Sequence, residues 1–275
     1  MNIPIEIVTL DYLYENVENP LARDLFSKLL LLRKKGYGPD HPKFRLPYDM
    51  TDFIGRHHLF CIREETSQEP LAKKGHLNLI KNEKGQSLIP IGGMKHLSLK
   101  RCDFHKLKLP ALDIVLGSNV HPHIEIVEKI INQHREQGQD LLYGGHFTID
   151  KSFRGKEGQS EQIHELVAAL SYQDLLESGA DSLIGIGAVR FKADQLFEKI
   201  GYRKLTNTEQ KPLELFNMQH LPNDPVVLIQ MHEATQWAKE CFKKHEKMLR
   251  SRIEIRAPIG APGTIDSIID PAKAA

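Results

Sequence analysis

The 275-residue sequence is poor in cysteine, with only Cys61, Cys102 and Cys241, and no two of them have CxxC spacing. This argues against a zinc ribbon or a disulfide scaffold and fits a reducing compartment. No stretch reaches the roughly 18 apolar residues of a membrane-spanning helix. The N-terminus has early acidic residues and lacks the basic segment and apolar core of a signal peptide. These absences predict a cytoplasmic protein without a membrane span.

Excess charge and metal-binding spacing are also missing. The net charge is +1, from 37 Lys and Arg against 36 Asp and Glu residues, so no broad nucleic-acid-binding surface is expected. Histidine is frequent, with 14 residues, yet the HExxH pattern is absent. The nearest approach, His232 followed by Glu233, has Gln236 where the second histidine would stand. The sequence therefore predicts neither a nucleic-acid partner nor a bound metal.

The GxxxxGK[ST] and GxGxxG nucleotide-binding patterns are missing as well. Instead, residues 145–205 indicate a strand, a turn and a helix. An apolar run from His146 to Ile149 predicts the strand, and Gly179 ends a segment with helical apolar spacing. The turn between them holds Arg154, Gly155, Lys156 and Gly158. Backbone N–H groups at a helix N-terminus beside basic side chains favour a phosphate, although such turns also occur in solvated loops.

A second motif lies in the same stretch. Residues 193–202, ADQLFEKIGY, follow the order A-x-x-L-[YF]-E-K-x-G-[FY]. This motif, and its distance from the basic turn, resembles the GNAT superfamily of N-acyltransferases. The chain departs from the family at Gly158, since the family's glycines would fall at positions 157 and 159. It also has Phe197 where many members have a tyrosine that donates a proton to the leaving thiolate.

The resemblance implies an acyl thioester donor (acyl-CoA or an acylated carrier protein), a small-molecule amine acceptor and no tightly bound cofactor. Backbone N–H groups at the strand end would polarise the thioester carbonyl, and the turn would hold the donor's phosphates. The implied donor-binding residues are Phe147, Thr148, Ile149, Arg154, Gly155, Lys156, Gly158, Gln159 and Ser160. The resulting hypothesis is an N-acyltransferase. The alternative is a protein of the same fold that binds CoA or a related ligand without catalysis.

The upstream sequence is similar to one branch of the superfamily, the acyl-homoserine-lactone synthases and long-chain N-acyl amino acid synthases. This similarity rests on Arg33 near the end of a predicted helix and on the D-x-x-D spacing of Asp49 and Asp52. Asn78 stands where that branch has a strand arginine. The resemblance implies that Arg33, Asp49 and Asp52 bind the acceptor, while the two aspartates fit equally well as turn residues.

The reaction needs a base, because an alkyl ammonium with a pKa near 10 is mostly protonated at neutral pH. His146 lies on the donor strand, and histidine has an ordinary pKa near the working pH. Strand alternation predicts His146, Thr148 and Asp150 on one face. His146 and Asp150 are therefore the candidate catalytic residues. A hydrogen-bonded strand histidine and a turn-capping aspartate are the structural alternatives.

The predicted fold is a mixed α/β (α+β) arrangement, with a mainly antiparallel sheet flanked by helices and a C-terminal helical extension. Helices are predicted over residues 20–35, 122–137 and 232–250. Strands are predicted over 58–63, 75–80, 88–94 and 226–231, with a hairpin turn over 82–85. The expected organisation is an acyltransferase domain over 1–207, a packed strand and helix over 208–256 and a flexible tail over 257–275.

Overall fold

The computed structural model describes residues 4–37, 48–63, 80–81, 85–154, 159–216 and 225–256. The strands are β1 (Ile5–Asp11), β2 (Arg56–Arg63), β3 (Ile80–Lys81), β4 (Ser87–Ser98), β5 (Leu141–Ile149), β6 (Ser182–Ala188), β7 (Arg203–Lys204), β8 (Glu214–Leu215), β9 (Val226–Met231) and β10 (Ile253–Ile255). The helices are α1 (Pro20–Tyr37), α2 (Met50–Ile54), α3 (Leu99–Phe104), α4 (Pro110–Ser118), α5 (His121–Glu136), α6 (Gln159–Ser178), α7 (Ala193–Ile200) and α8 (Gln236–Arg250).

The chain divides into two compact units, and β4, β5, α6 and α8 contribute residues to both. The first unit contains the described residues of 1–95, 145–167 and 243–257. Its strands follow the order β10-β1-β2-β4-β5. Strand β1 pairs antiparallel with β2 and parallel with β10. Every candidate site residue that the structure describes belongs to this unit.

The second unit contains residues 96–144 and the described residues of 168–242. In it, β5 pairs parallel with β6 from Leu141–Ser182 to Gly144–Gly185. Strand β9 pairs antiparallel with β6, β7 and β8.

The ring of Phe197 meets that of Tyr202 edge-on, with 5.1 Å between centroids, and both residues are buried. Phe197 is therefore a packed side chain here, and it has no proton to donate.

Helix α1 shows how an apolar stripe builds the core of the first unit. Its first residue, Pro20, has a backbone preset for that position, and the Asn19 side chain accepts a hydrogen bond of 2.9 Å from the second helical N–H. Leu25, Leu29 and Leu32 recur at three- and four-residue spacing and are fully buried against β1 and β2. The stripe continues into Arg33, which is buried as deeply as the leucines.

The predicted mixed α/β fold with a mainly antiparallel sheet and flanking helices is confirmed. Helix α5 lies one residue earlier than predicted, β9 has its predicted bounds, and α8 begins four residues later. Strands β1, β7, β8 and β10 and helices α2, α3 and α4 were not expected from the sequence. Most of the predicted 75–80 strand and 82–85 turn, and the whole 257–275 tail, lie outside the described residues. The proposed division at residue 207 stays a prediction.

Among the residues described, none of the helices combines the length and the apolarity needed to cross a lipid bilayer.

Candidate functional site

The first feature of the candidate site is an ion pair between two residues singled out in the sequence. Arg33 on α1 donates to Asp52 on α2 through Nη1–Oδ2 and Nη2–Oδ1 contacts, each 3.0 Å long. Both side chains have zero exposure. Two parallel hydrogen bonds between charged groups give this pair geometric specificity as well as attraction. Of the three predicted acceptor-binding residues, Arg33 and Asp52 therefore contact one another.

Lys95 on β4 joins this pair, and the sequence analysis missed it. Its Nζ donates to Asp52 Oδ1 at 2.9 Å and to Thr51 Oγ1 at 3.0 Å, and the side chain is fully buried. Gly55 leaves room for the lysine stem, because a Cβ there would lie 3.0 Å from Lys95 Cδ. Burial raises the pKa of Asp52, but Lys95 and Arg33 outweigh it and hold that pKa well below 3.8.

His57 on β2 borders the same carboxylate-bearing turn. Its Nε2 lies 2.7 Å from the backbone oxygen of Asp52, so Nε2 carries the proton and donates. Burial, and then the positive charge of Arg33, lower the pKa of His57 to about 3. Its Nδ1 is buried and accepts no hydrogen bond from the described part of the chain. This imidazole is therefore neutral at physiological pH.

His146, the predicted base, interrupts β5 with a left-handed backbone conformation (φ 54°). A non-glycine residue with this φ is uncommon and often marks a functional constraint. The alternation that would align His146 with Thr148 and Asp150 is therefore broken at this residue. Its imidazole is partly buried and makes no hydrogen bond with another described residue.

The charges around His146 also differ from the sequence-based expectation of an ordinary pKa. Burial, followed by the positive charges of Arg33 and Lys95, holds the pKa of His146 well below 6.5. Asp52 acts in the opposite direction without reversing this balance. The imidazole is therefore a neutral proton acceptor at physiological pH, and a weaker base than an exposed histidine.

The other two aspartates from the sequence analysis cap short helices. Asp49 precedes α2 and accepts from the Thr51 backbone N–H at 2.8 Å and from the Thr51 hydroxyl. Asp150 precedes a single 3-10 turn and accepts from Ser152 through its backbone N–H at 3.0 Å and its hydroxyl at 2.7 Å. Capping explains both positions, in line with the structural alternative considered for each.

The predicted donor strand is held from two sides of its own unit. The Tyr37 hydroxyl donates to the Phe147 carbonyl at 2.7 Å, and burial raises the pKa of Tyr37 to about 12, so it keeps its proton. Arg154 donates from Nε to the Ile149 carbonyl at 3.0 Å and from Nη2 to the Gly36 carbonyl. These contacts fix the end of β5 against the last turn of α1.

The predicted donor turn is only partly described. Gly155, Lys156 and Gly158 lie outside the described residues. Gln159 is the first residue of α6, and Ser160 follows it in the first turn with a partly buried side chain. Thr148 is buried, and its hydroxyl accepts and donates no hydrogen bond within the described residues.

No protein-family model matches the sequence, and no curated protein matches it. Among solved structures, the N-acyl amino acid synthase FeeM from uncultured soil microbes is 10% identical, with 84% of this chain and 93% of that chain aligned at a TM-score of 0.46. The CoA-dependent acyl-homoserine lactone synthase BjaI, with SAM and isopentyl-CoA, is 11% identical over 93% of this chain and 95% of its own, at 0.48. The acyl-homoserine lactone synthase LasI is 14% identical over 86% and 94%, at 0.43. These similarities concern the fold, and the activity has to be argued from the residues.

Proposed function

We propose that this protein is an N-acyltransferase that moves an acyl group from acyl-CoA or an acylated carrier protein to a small-molecule amine. The observation that carries the proposal is the imidazole of His146. It has no hydrogen-bond partner among the described residues and stands at a left-handed backbone position directly before the predicted thioester-binding segment 147–149. The ADQLFEKIGY motif and the strand–turn–helix layout support the same function.

In the proposed step, the acceptor nitrogen forms a bond to the thioester carbonyl carbon and the C–S bond then breaks. The proton on the attacking nitrogen passes to His146, and the thiolate departs as the anion or takes a proton from solvent. A thiol has a pKa near 8.5, so the thiolate leaves readily near neutral pH without the tyrosine that Phe197 replaces. A nitrogen bonded to the tetrahedral carbon is a stronger acid than a free ammonium, so a neutral imidazole of low pKa can still accept its proton.

The protein's main contribution is positioning, since aligned reactants avoid much of the entropic cost of the encounter. We propose that the backbone of Phe147, Thr148 and Ile149 lies along the thioester. Arg154, Gly155, Lys156, Gly158, Gln159 and Ser160 then face the donor's phosphates at the start of α6. The positive end of the helix dipole favours an anion there. Tyr37 and Arg154 support this arrangement, because both hold carbonyls of β5 in place.

For Arg33 and Asp52 we propose an indirect role in acceptor binding, without direct contact to the acceptor. Both are fully buried and bound to each other, so they act on the acceptor site by holding α1 and α2 and by setting the local charge. Asp49 remains a candidate for the acceptor amine only if its capping bonds to Thr51 open. Asp150 is the second candidate base, and it too could act only if its capping bonds to Ser152 open.

To test this proposal, the protein is incubated with acyl-CoAs of different chain length, or with an acylated carrier protein, in the presence of a panel of amines. Free thiol is followed with a thiol reagent, and thermal unfolding is measured in parallel. An amine-dependent release of thiol is expected. A donor that raises the melting temperature without thiol release across the whole amine panel would instead identify a non-catalytic ligand-binding protein.

A further inference from the structure

The first unit contains a cavity that lies apart from the candidate site. Its volume is about 450 Å³, which falls within the range of small-molecule sites in proteins. It is bordered by the start of β1, the end of β2 and the segment in which α8 passes into β10. None of the candidate site residues that the structure describes lines it. Along β1, Ile5 lies about 16 Å from Leu10, the residue that pairs with His57.

The register of β10 explains why space is left here. Strand β10 pairs in parallel with β1 from Val8 to Leu10, so the first three residues of β1 lie beyond its start. The chain enters β10 from α8 through Ser251 and Arg252, and both residues border the resulting gap. The cavity is therefore a consequence of how this edge of the sheet is built.

Apolar side chains form one part of the cavity wall. They are Ile5, Ile7, Met248 and Ile253. The first two are buried and the other two are partly buried. Because transfer of apolar surface out of water is favourable, this wall suits an aliphatic or aromatic group.

Two ion pairs stand beside this apolar wall. Arg63 donates from Nε to Glu6 Oε1 at 2.6 Å, and the two side chains are 41% and 24% exposed. Arg252 Nε contacts Glu254 Oε1, and these side chains are only 5% and 16% exposed. Glu254 also contacts Arg256 through Oε2. The cavity thus has an outer and an inner pair, and a partly exposed pair such as the outer one adds little to folding stability.

We propose that this cavity is a second binding site, which takes a small zwitterion with an apolar side chain, an α-amino acid by chemical class. Its carboxylate faces the two arginines, its ammonium the two glutamates, and its side chain the apolar wall. A simple anion would meet the glutamates and a simple cation would meet the arginines, and such like-charge contacts are unfavourable. A ligand with both charges on neighbouring atoms avoids them. The site does not require acyl transfer and goes beyond the function proposed above.

The test follows isoleucine and methionine methyl groups of the 275-residue chain by NMR, without any acyl donor. L-Leucine, L-methionine and L-phenylalanine are each titrated to about 10 mM, and at least one should bind with a Kd of about 1 mM or less. The saturable shifts should appear at Ile5, Ile7 and Met248, while the methyl groups of Ile149 in β5 should not move.

Analogues of the amino acid that binds best separate its two charges. For leucine, 4-methylpentanoate lacks the ammonium and 3-methylbutylamine lacks the carboxylate. Each analogue loses charge-assisted hydrogen bonds to one member of each ion pair, so each should bind at least about tenfold more weakly than the amino acid.

Variants of the two arginines place the ligand at the ion pairs. Arg252→Met should weaken binding by about tenfold or more. Arg63→Met should do the same, and because Arg63 is partly exposed this variant keeps the test valid if the buried one does not fold. Arg135→Met is the matched control, since it breaks a pair of similar exposure with Asp103 in the second unit. It should bind the amino acid as the wild type does.

The inference is overturned if none of the three amino acids gives a saturable shift, or if either analogue binds as tightly as its parent amino acid. Unchanged affinity in the Arg63 and Arg252 variants would also overturn it. Shifts at Ile149 without shifts at Ile5 and Ile7 would indicate an acceptor bound at the candidate site. That result would remove the second site and support the proposed function, so the two can fail separately.

Discussion

Arg33 and Asp52 form an ion pair in which both side chains are fully buried and both hydrogen bonds are 3.0 Å long. They are 19 residues apart in sequence and come from the last third of α1 and the middle of α2. Their pairing joins α1 to α2, and the backbone oxygen of Asp52 also holds His57. One carboxylate-bearing residue thus organises a lysine, an arginine and a histidine around the predicted base.

The stability of the protein should depend far more on the carboxylate than on either cation. Asp52→Asn leaves two buried cations without a counter-charge and should lower the free energy of unfolding by about 3–5 kcal/mol. Lys95→Met leaves the Arg33 pair intact and should cost less than about 2 kcal/mol. Urea unfolding of the three proteins at pH 7 measures both differences. Equal losses of unfolding free energy in the two variants would show that Asp52 is not the shared counter-charge of Arg33 and Lys95.

Folding stability should fall as the pH drops below about 6.5. The folded-state pKa values of His57 and His146 lie below the ordinary value of 6.5, so the unfolded chain binds more protons in this range. Each histidine should lower the free energy of unfolding by up to about 1.4 kcal/mol per pH unit, for His57 down to a pH of about 3. Asp52 adds to the loss only below 3.8, where the unfolded carboxyl becomes protonated.

His57→Gln isolates one of these contributions, because the glutamine amide can replace the Nε2 donor to Asp52 and does not titrate. Unfolding free energies at pH 7, 6, 5 and 4.5 should give a flatter pH dependence for this variant, by up to about 1.4 kcal/mol per unit. Parallel curves for the variant and the wild type would mean that His57 titrates normally in the folded protein.

Gly36 provides a steric test of how α1 meets the donor strand. A Cβ at Gly36 would overlap the Thr148 hydroxyl, whereas its other contacts are 3.4 Å or longer. Gly36→Ala should therefore cost about 1–3 kcal/mol through overpacking. The cost should disappear in a Thr148→Ala background, where the helix gains from alanine. The matched control is Gly117→Ala in α4, where a Cβ would meet nothing within 4 Å, and it should be neutral or stabilising.

The donor turn is tested by binding rather than by turnover. Arg154→Ala with Lys156→Ala should weaken CoA binding by about 1–3 kcal/mol in calorimetry, the scale of lost charge-assisted hydrogen bonds. Lys156→Ala alone separates phosphate binding from the support that Arg154 gives to Ile149 and Gly36. Lys129→Ala removes an exposed charge from α5 as a control. Unchanged affinity in the Lys156 variant and the double variant would remove the turn from the donor site.

Part of this site could be read from the sequence. His146, Arg33 and Asp52 stand at positions that a motif or a helix end makes visible, and all three lie around one charge cluster in the structure. Lys95 could not be recognised in the same way. It follows the apolar run that ends at Met94, where a lysine is expected to leave the sheet, and only the three-dimensional position of Asp52 explains its burial.

The backbone conformation of His146 could not be predicted from the sequence either, since a left-handed residue inside a strand is predicted only when it is glycine or asparagine. The two short or terminal strands of the first unit were missed for a related reason. Strand β10 has three residues, too few for a period. In β1 the apolar–polar alternation breaks at the adjacent Ile7 and Val8, because nearly every position of this strand is buried. Their pairing comes from the tertiary structure.

The most direct measurement of the central claim is the formation of amide product, by mass spectrometry, at saturating donor and acceptor. The wild-type protein should form N-acylated amine and free CoA in equal amounts. His146→Gln should slow this by about a hundredfold or more, the usual contribution of a positioned base. His121→Gln alters an exposed histidine and should behave as the wild type. The proposed function is contradicted if the wild type forms no amide with any donor and amine. The role of His146 as the base is contradicted if His146→Gln retains the full rate.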